Sequence, residues 1–240
     1  MKKNIDFKPP ITKSFFLTRS KLYANIKENT KYLQGKMMDI GCGSKPYKEL
    51  ISVDEYIGVD FQGEGHSHEN EQIDVFYDGK TIPFENDTFD SVLSSEVFEH
   101  VFNLSELLCE INRVMKTDAN LVITCPFIIA EHEAPNDFAR YTSFGIKHLL
   151  NTHGFEIIYY KKIGTSIESI MQVFLSYFDS YVISKLNFFK PLKVLLGPII
   201  IAAINITAIV LNLILPKRQD AFLNHIIVCK KKKKPAKHSF

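Results

Sequence analysis

The 240-residue sequence has little net charge, formally +2, so it lacks the general basic excess that nucleic-acid binding draws on. Its four cysteines, Cys42, Cys109, Cys125 and Cys229, form no CxxC pair and show no metal-ligand spacing. That argues against a disulfide framework or a cysteine-bound metal, and it fits a reducing compartment. No apolar signal core follows Met1-Lys2-Lys3, because Asp6, Lys8 and Pro9-Pro10 interrupt it. A secretory signal is therefore not expected, and the chain is assigned to the cytoplasm. No internal repeat is visible. His66 and His68 lie in a polar stretch without ligand spacing, so they read as surface loop and no metal is expected.

What is present is the composition of a packed α/β protein, with a hydrophobic fraction of 45%. Residues 1–17 show no period and read as an arm. Between Thr18 and Leu33, the residues Leu22, Tyr23, Ile26 and Leu33 predict an amphipathic helix capped by Thr18. Short apolar runs follow at Met37–Ile40, Tyr56–Val59, Ile73–Tyr77, Phe89–Ser95 and Leu121–Phe127. Runs of this length bounded by Asp, Gly or Pro read as buried parallel strands. A helix over Leu104–Lys116 carries Leu107, Leu108, Ile111, Val114 and Met115 on one stripe. A helix over Ser143–Thr152, a strand over Phe155–Lys161, a long apolar helical region over Ser166–Leu215 and a strand over Phe222–Cys229 complete the pattern. Alternating strands and helices predict a parallel sheet with right-handed crossovers and a ligand beyond the carboxyl ends of its strands.

Polar residues cluster at those ends. In Asp39-Ile40-Gly41-Cys42-Gly43-Ser44, two glycines one residue apart allow a sharp turn and a close approach to a ligand. Asp60, about 20 residues later at the next strand end, can accept both hydroxyls of a ribose. Two further segments follow. One is Asp78-Gly79-Lys80-Thr81-Ile82-Pro83-Phe84 with Phe89-Asp90-Ser91-Val92, and the other is Ser94-Ser95-Glu96-Val97-Phe98-Glu99-His100-Val101.

In this order and spacing the four segments resemble class I methyltransferases that use S-adenosylmethionine, in the branch called type 11 and its bacterial small-molecule subgroup. The similarity runs from about Lys36 to Phe127 and continues more loosely to Gly164. It implies a doubly wound, Rossmann-like α/β sheet of about seven strands with the last one antiparallel, here with an apolar helical insertion before that last strand. It also implies S-adenosyl-L-methionine as cofactor. Asp39, Gly41, Cys42 and Gly43 would surround its methionine part. Asp60, followed by Phe61, would bind the ribose. Asp78, followed by Gly79, would bond the adenine amino group, with Ile82 and Phe84 nearby. Ser95 and Glu96 would border the sulfonium and the acceptor pocket. The family often has a third glycine where Lys45 stands, followed here by Pro46, so the helix after the loop is expected to be short, about 46–51. The absence of a glycine at Pro46 argues against a nicotinamide enzyme.

The loop His132–Thr142 is dense in ionising groups and resembles a similarly placed loop of that bacterial subgroup, which faces the acceptor. Methyl transfer to oxygen needs a base, and His132 is the candidate, with Glu133 orienting it and Arg140 beside it. The alternative is structural: His132 and Arg140 pair with Glu133 and Asp137 to pin the loop. His100 is read as scaffold. The expected reaction is methylation of a hydroxyl on a small-molecule or lipid-linked acceptor in surface polysaccharide biosynthesis. Carbon methylation of a quinone-like lipid and a non-catalytic cofactor-binding or membrane-associated module are the alternatives. A nucleic-acid methyltransferase would carry an Asn/Asp-Pro-Pro-Tyr-like motif where Ser94–Val97 stands, so no nucleic-acid partner is expected.

The domain reading is an arm over 1–17, a core over 18–164, an apolar insertion over 165–221, a final core strand over 222–230 and a basic tail over 231–240. Val194–Pro216 contains no charged residue, and Lys190, Lys193, Lys217 and Arg218 flank it. With strands on either side in one sheet, a single membrane crossing is excluded. The region can then be a helical cap on the core, a shallow or re-entrant insertion or a partner surface, and the Lys-rich tail either a solvated tail or a contact with anionic headgroups. The expectation carried forward is a peripheral contact of 187–218 and the tail with the inner face of a membrane.

Overall fold

The structure, a computed structural model, describes residues 8–63, 71–185 and 190–233. The surface-loop reading of His66 and His68, and the tail residues Lys234 and Lys237, lie outside the described residues.

Seven strands form one sheet: β1 (Lys36–Ile40), β2 (Glu55–Phe61), β3 (Val75–Tyr77), β4 (Phe89–Ser95), β5 (Met115–Pro126), β6 (Phe155–Ile163) and β7 (Asn224–Lys231), in the order β3-β2-β1-β4-β5-β7-β6. β1 pairs in parallel with β2 and β4, β2 with β3, and β4 with β5. β7 runs antiparallel to β6. At one end the Leu223 N–H donates to the Ile163 carbonyl (2.9 Å), and at the other the Lys232 N–H donates to the Gly154 carbonyl (2.8 Å). This is the doubly wound sheet expected, with its last strand reversed and an apolar helix before it.

Successive residues of the central strands point to opposite faces, and both faces are buried. Met38, Val92, Leu121 and Ile227 belong to one core cluster, and their neighbours Met37, Leu93, Val122 and Val228 to another. The first is completed by helix α2 (Leu104–Val114), which buries Leu104, Leu107, Leu108, Ile111 and Val114 along the expected stripe.

Several boundaries differ from the sequence reading. Helix α1 spans Phe16–Asn29, so Thr18 lies inside it rather than at its cap. α2 gives way at once to β5, because Met115 already pairs with Phe89. β3 has only three residues. Helix α3 occupies Ser143–Thr152, and its Thr142 side chain accepts the Gly145 N–H. The long apolar region divides into α4 (Ser166–Tyr177), a π-helical turn (Phe178–Ile183) and α5 (Lys190–Ile214). β7 extends to Lys231, whose side chain is buried. It donates to Asp87 at 2.8 Å and to the Met115 carbonyl, so the lysine run begins as strand rather than as tail.

The chain divides into two compact units. One runs up to Lys27 and includes Pro126–His132 and Lys162–His225. The other comprises Glu28–Cys125, Glu133–Lys161 and the chain from Ile226 onward. In the first, α4 opens on a capping box between Thr165 and Glu168. Glu168 also meets Lys21 at 3.0 Å and the Asn212 amide at 3.1 Å. Residues of the expected arm are tied to these helices by buried amides. Asn205 donates to the Ile11 and Lys13 carbonyls (2.7 and 3.1 Å), and Gln172 donates to the Ser14 carbonyl (2.9 Å). Truncating Asn205 should leave both carbonyls without their donor. Asn205→Ala is expected to lose about 2 kcal/mol of stability, read as a lower urea midpoint.

Candidate active site

The predicted cofactor residues fall in the second unit, at the carboxyl ends of β1 to β4. The sheet order reverses between β1 and β4, and a ligand crevice opens at such a switch point. β1 ends at Ile40, and Gly41 and Gly43 then take φ of 72° and 46°. The Gly41 and Cys42 N–H groups both donate to the Val59 carbonyl (2.8 and 3.2 Å), and the Gly43 N–H donates to Asp60 Oδ2 (2.8 Å). The glycine turn is therefore stitched to the end of β2. A Cβ on Gly41 would overlap Val97, while among the described residues one on Gly43 would meet Glu71, its Oε1 at 3.5 Å. Gly41 thus keeps the turn against β4's exit, and Gly43 takes the left-handed φ that completes it.

Asp60 is oriented from both sides, because its Oδ1 accepts the Phe61 N–H at 2.7 Å. A carboxylate oxygen can take a second hydrogen bond, so this group suits two vicinal hydroxyls. The Phe61 ring lies half-exposed, edge-on to Tyr77 with centroids 6.1 Å apart, and 2.7 Å from where a Gly79 Cβ would stand. Asp78 is exposed and caps its own turn, its Oδ1 accepting the Lys80 and Thr81 N–H groups at 2.9 and 2.8 Å. Those bonds, Thr81 first, hold its carboxyl below the usual range. Ile82 is buried and Phe84 half-buried beside it. Ser95 Oγ pairs with Thr124 Oγ1 at 2.9 Å, and Glu96 takes φ of 55° as β4 ends.

Asp39 is buried at 3% exposure and accepts a hydrogen bond from the Tyr56 hydroxyl. Burial pushes its carboxyl up to about 7, against the opposing Tyr56 bond and with help from the Asp60 charge. Cys42 turns its sulfur inward, 2.7 Å from where a Cβ on Gly58 would stand, so it can serve a ligand only through its backbone. Where the family often has a third glycine, Lys45 holds the left-handed φ of 52° itself. Its buried ammonium meets Asp74 at 2.5 Å, and Asp74 also accepts the Gly58 N–H at 2.6 Å. Burial raises the Asp74 carboxyl, but the Lys45 and Gly58 bonds outweigh that and hold it low. The expected short helix is only a 3-10 turn, Lys48–Leu50, after Pro46. Tyr56, Lys45 and Asp74 were not among the sequence candidates. The one signal was Asp39 itself, an acid inside an apolar strand that must find a partner.

The loop after β5, expected to face the acceptor, is pinned in several places. Arg140 forks onto Asp137 with two 2.6 Å bonds and also donates to the Ala139 carbonyl. The Glu99 carbonyl accepts the Phe138 and Ala139 N–H groups at 2.8 and 3.2 Å. The arrangement of Arg140 is thus the loop-pinning pair with Asp137. His100, read from sequence as scaffold, stands against this loop. Its Nδ1 lies 2.7 Å from the Asn136 carbonyl, and its Nε2 is 3.7 Å from Glu99 and 3.6 Å from Glu133. Glu133, the expected orienter of His132, therefore reaches His100. The Glu99 carboxylate is 1% exposed with no hydrogen bond, and burial followed by the Glu96 charge pushes it well up. His132, in the other unit, has its Nδ1 3.3 Å from the Ala130 carbonyl.

Residues 38–123 match the methyltransferase domain family. The chain contains a class I S-adenosylmethionine-dependent methyltransferase domain. The methyltransferase is similar in fold to a putative methyltransferase from Bacillus halodurans, with 14% identity over 88% of this chain and 99% of that one and a TM-score of 0.52. It is likewise similar to the [4+2]-cyclase SpnF, with 17% identity over 90% and 82% and a TM-score of 0.55. A third likeness is to phosphoethanolamine N-methyltransferase 2 of Haemonchus contortus in complex with S-adenosyl-L-methionine, with 15% identity over 89% and 53% and a TM-score of 0.52. No curated protein sequence matches the chain.

The methyltransferase's residues fit the cofactor. A glycine turn tied to the end of β2, a ribose-competent Asp60 and the exposed, ionised Asp78 suit an adenosyl group that carries a cation. A helix N-terminus over the loop would favour an anion instead, and here only a single 3-10 turn follows. Gly41→Ala should force Val97 aside at a left-handed φ. It is expected to cost about 2–3 kcal/mol of stability and to abolish calorimetric binding of S-adenosylhomocysteine. Asp39 titrates near 7 when folded against 3.8 when free, so the folded state holds that proton more tightly. This stabilisation is full below about pH 4 and is lost as pH rises through 7, a change of about 4 kcal/mol. In urea melts from pH 4 to 8, Asp39→Asn should remove that part of the wild-type slope; parallel curves would contradict it.

Proposed function

We propose that this methyltransferase methylates a hydroxyl group on a small-molecule or lipid-linked acceptor, of the kind used in surface polysaccharide biosynthesis, at the inner face of a membrane. The cofactor supplies an electrophilic methyl group on a sulfonium. The chain's part is to hold that group through Asp60, Asp78 and the Gly41–Gly43 turn, to align the acceptor, and to take up the acceptor's proton.

The observation that carries the hydroxyl reading is the pair of imidazoles His132 and His100, each with its Nδ1 against a backbone carbonyl. A ring whose Nδ1 donates to a carbonyl carries its proton there, which makes Nε2 the basic nitrogen. His132 has that arrangement against Ala130 and is the proposed base, the proton passing to its Nε2. His100 has it against Asn136 with a shorter contact, and the Glu133 carboxylate, 3.6 Å from its Nε2, stands near enough to stabilise the imidazolium that would form. Exposed rings support a ring-bearing acceptor, since Phe102 and Phe138 meet edge-to-face at 5.4 Å and are 85% and 45% exposed. Fold alone does not decide the reaction, as one similar structure is named a cyclase.

The test has two arms. Calorimetry with S-adenosylhomocysteine should show at least tenfold weaker binding for Asp60→Asn, and unchanged affinity would remove the cofactor reading. Transfer of labelled methyl from S-adenosylmethionine to a panel of free sugars, polyprenyl-linked sugars and quinones then reads the acceptor. His132→Ala should lose about 100-fold or more in turnover with calorimetric binding intact. Loss confined to His100→Ala would move the base there, and full turnover in both would end imidazole catalysis.

A further inference from the structure

We infer that the helical unit of this protein is a membrane-docking device in which α5 lies flat in the headgroup layer of an anionic bilayer, inserted but not crossing. The inference goes beyond methyl transfer and stands on the first unit alone.

α5 has 25 residues and no acid, and after Lys193 it carries no charge at all. Its buried residues are Gly197, Ile201, Asn205 and Ala208, a single stripe at helical spacing. Away from that stripe, Leu195, Ile199, Ile206, Val210 and Leu213 recur at steps of three, four and seven residues and are 47–71% exposed. A continuous exposed apolar stripe of this length is rare on a monomeric soluble protein and needs a cover. α4 and its π turn add exposed Ile170, Phe174, Tyr177 and Tyr181, and tyrosines suit the membrane–water boundary.

Charge identifies the cover. Lys185 and Lys190 stand before the apolar run and Lys217 after it, all exposed, and α5 offers no acid to a partner. Arg218 is already engaged by Asp220 at 2.8 Å. Lysines at both ends of an apolar stripe match anionic headgroups above hydrocarbon.

Three contacts settle the orientation. The Ser166 N–H donates to the Arg218 carbonyl at 2.8 Å, and the Gln219 amide donates to the Lys162 and Gly164 carbonyls at 3.1 and 2.9 Å. The two ends of the helical segment therefore meet, which excludes a single crossing. A helical hairpin passing twice through the bilayer is excluded by Asn205. This mid-helix residue holds the irregular backbone of Ile11 and Lys13 against α5. Sinking α5 upright would carry that segment and exposed Lys13 to the bilayer centre, where a charged lysine is costly and irregular backbone facing lipid is not tolerated. Lying flat, α5 buries its outer stripe and keeps every lysine at headgroup level.

The sequence contains no tryptophan, so Leu195→Trp, Ile206→Trp and Leu213→Trp each give a sole reporter in the full-length protein. With phosphatidylcholine vesicles containing 30% phosphatidylglycerol, all three should blue-shift and be quenched equally by lipids brominated at a shallow position. Lys217→Gln should bind these vesicles about fivefold more weakly. Deepest quenching at Ile206→Trp would indicate a crossing hairpin and overturn the proposal. So would recovery of all protein in the soluble fraction, or a dimer that shields the reporters without lipid. Calorimetry with S-adenosylhomocysteine on the same variants tests the methyltransferase reading separately, since its failure would leave vesicle binding intact.

Discussion

The candidate site depends on the stitching of the glycine turn to β2. The Gly41, Cys42 and Gly43 N–H groups all find acceptors at the end of that strand, two on a carbonyl and one on Asp60. One carboxylate thereby joins the ligand-facing end of β2 to the loop that leaves β1. Its position is set by parallel pairing, with Ile40 opposite Val59. The Asp60 carboxylate and the shape of the loop are thus one arrangement, and neither can change without the other.

The departure at Lys45 shows how a fold tolerates the loss of a customary glycine. A lysine in the left-handed region costs about 1–2 kcal/mol in backbone strain. Its long side chain is used to offset that. The ammonium reaches Asp74, which in turn fixes the Gly58 N–H, in the space that glycine's missing side chain leaves open. Gly58 must be glycine because Lys45 and Cys42 both lie across it. The turn is therefore held by an ion pair beneath it, and only a 3-10 turn follows.

The central strands, the α2 stripe and the strand-end acids were legible in the sequence because each is a local pattern: an apolar run, a helical period, a glycine or acid at the boundary. What escaped was set by residues far apart in the chain. Tyr56 meets Asp39 only once β1 and β2 are in register. The apparent arm around Ile11–Ser14 finds its donors in Asn205 and Gln172. Lys231 looked like the start of a basic tail because it sits in a run of lysines, yet it stands two residues after buried Cys229, on the same side of β7. In the loop His132–Thr142, composition could not say which carboxylate would face which imidazole.

The position of β7 has a consequence for how the protein is made. This strand is translated after every other strand, yet it lies between β5 and β6 rather than at an edge. Until it emerges, β5 and β6 have no partner on the sides that will face it, and two rows of backbone donors and acceptors stay open. The sheet thus closes last in its interior, by insertion, after some 60 residues of apolar helical chain have passed. The nascent chain must hold a gap one strand wide, and a lipid surface that takes up α5 early would keep its greasy stripe away from that gap.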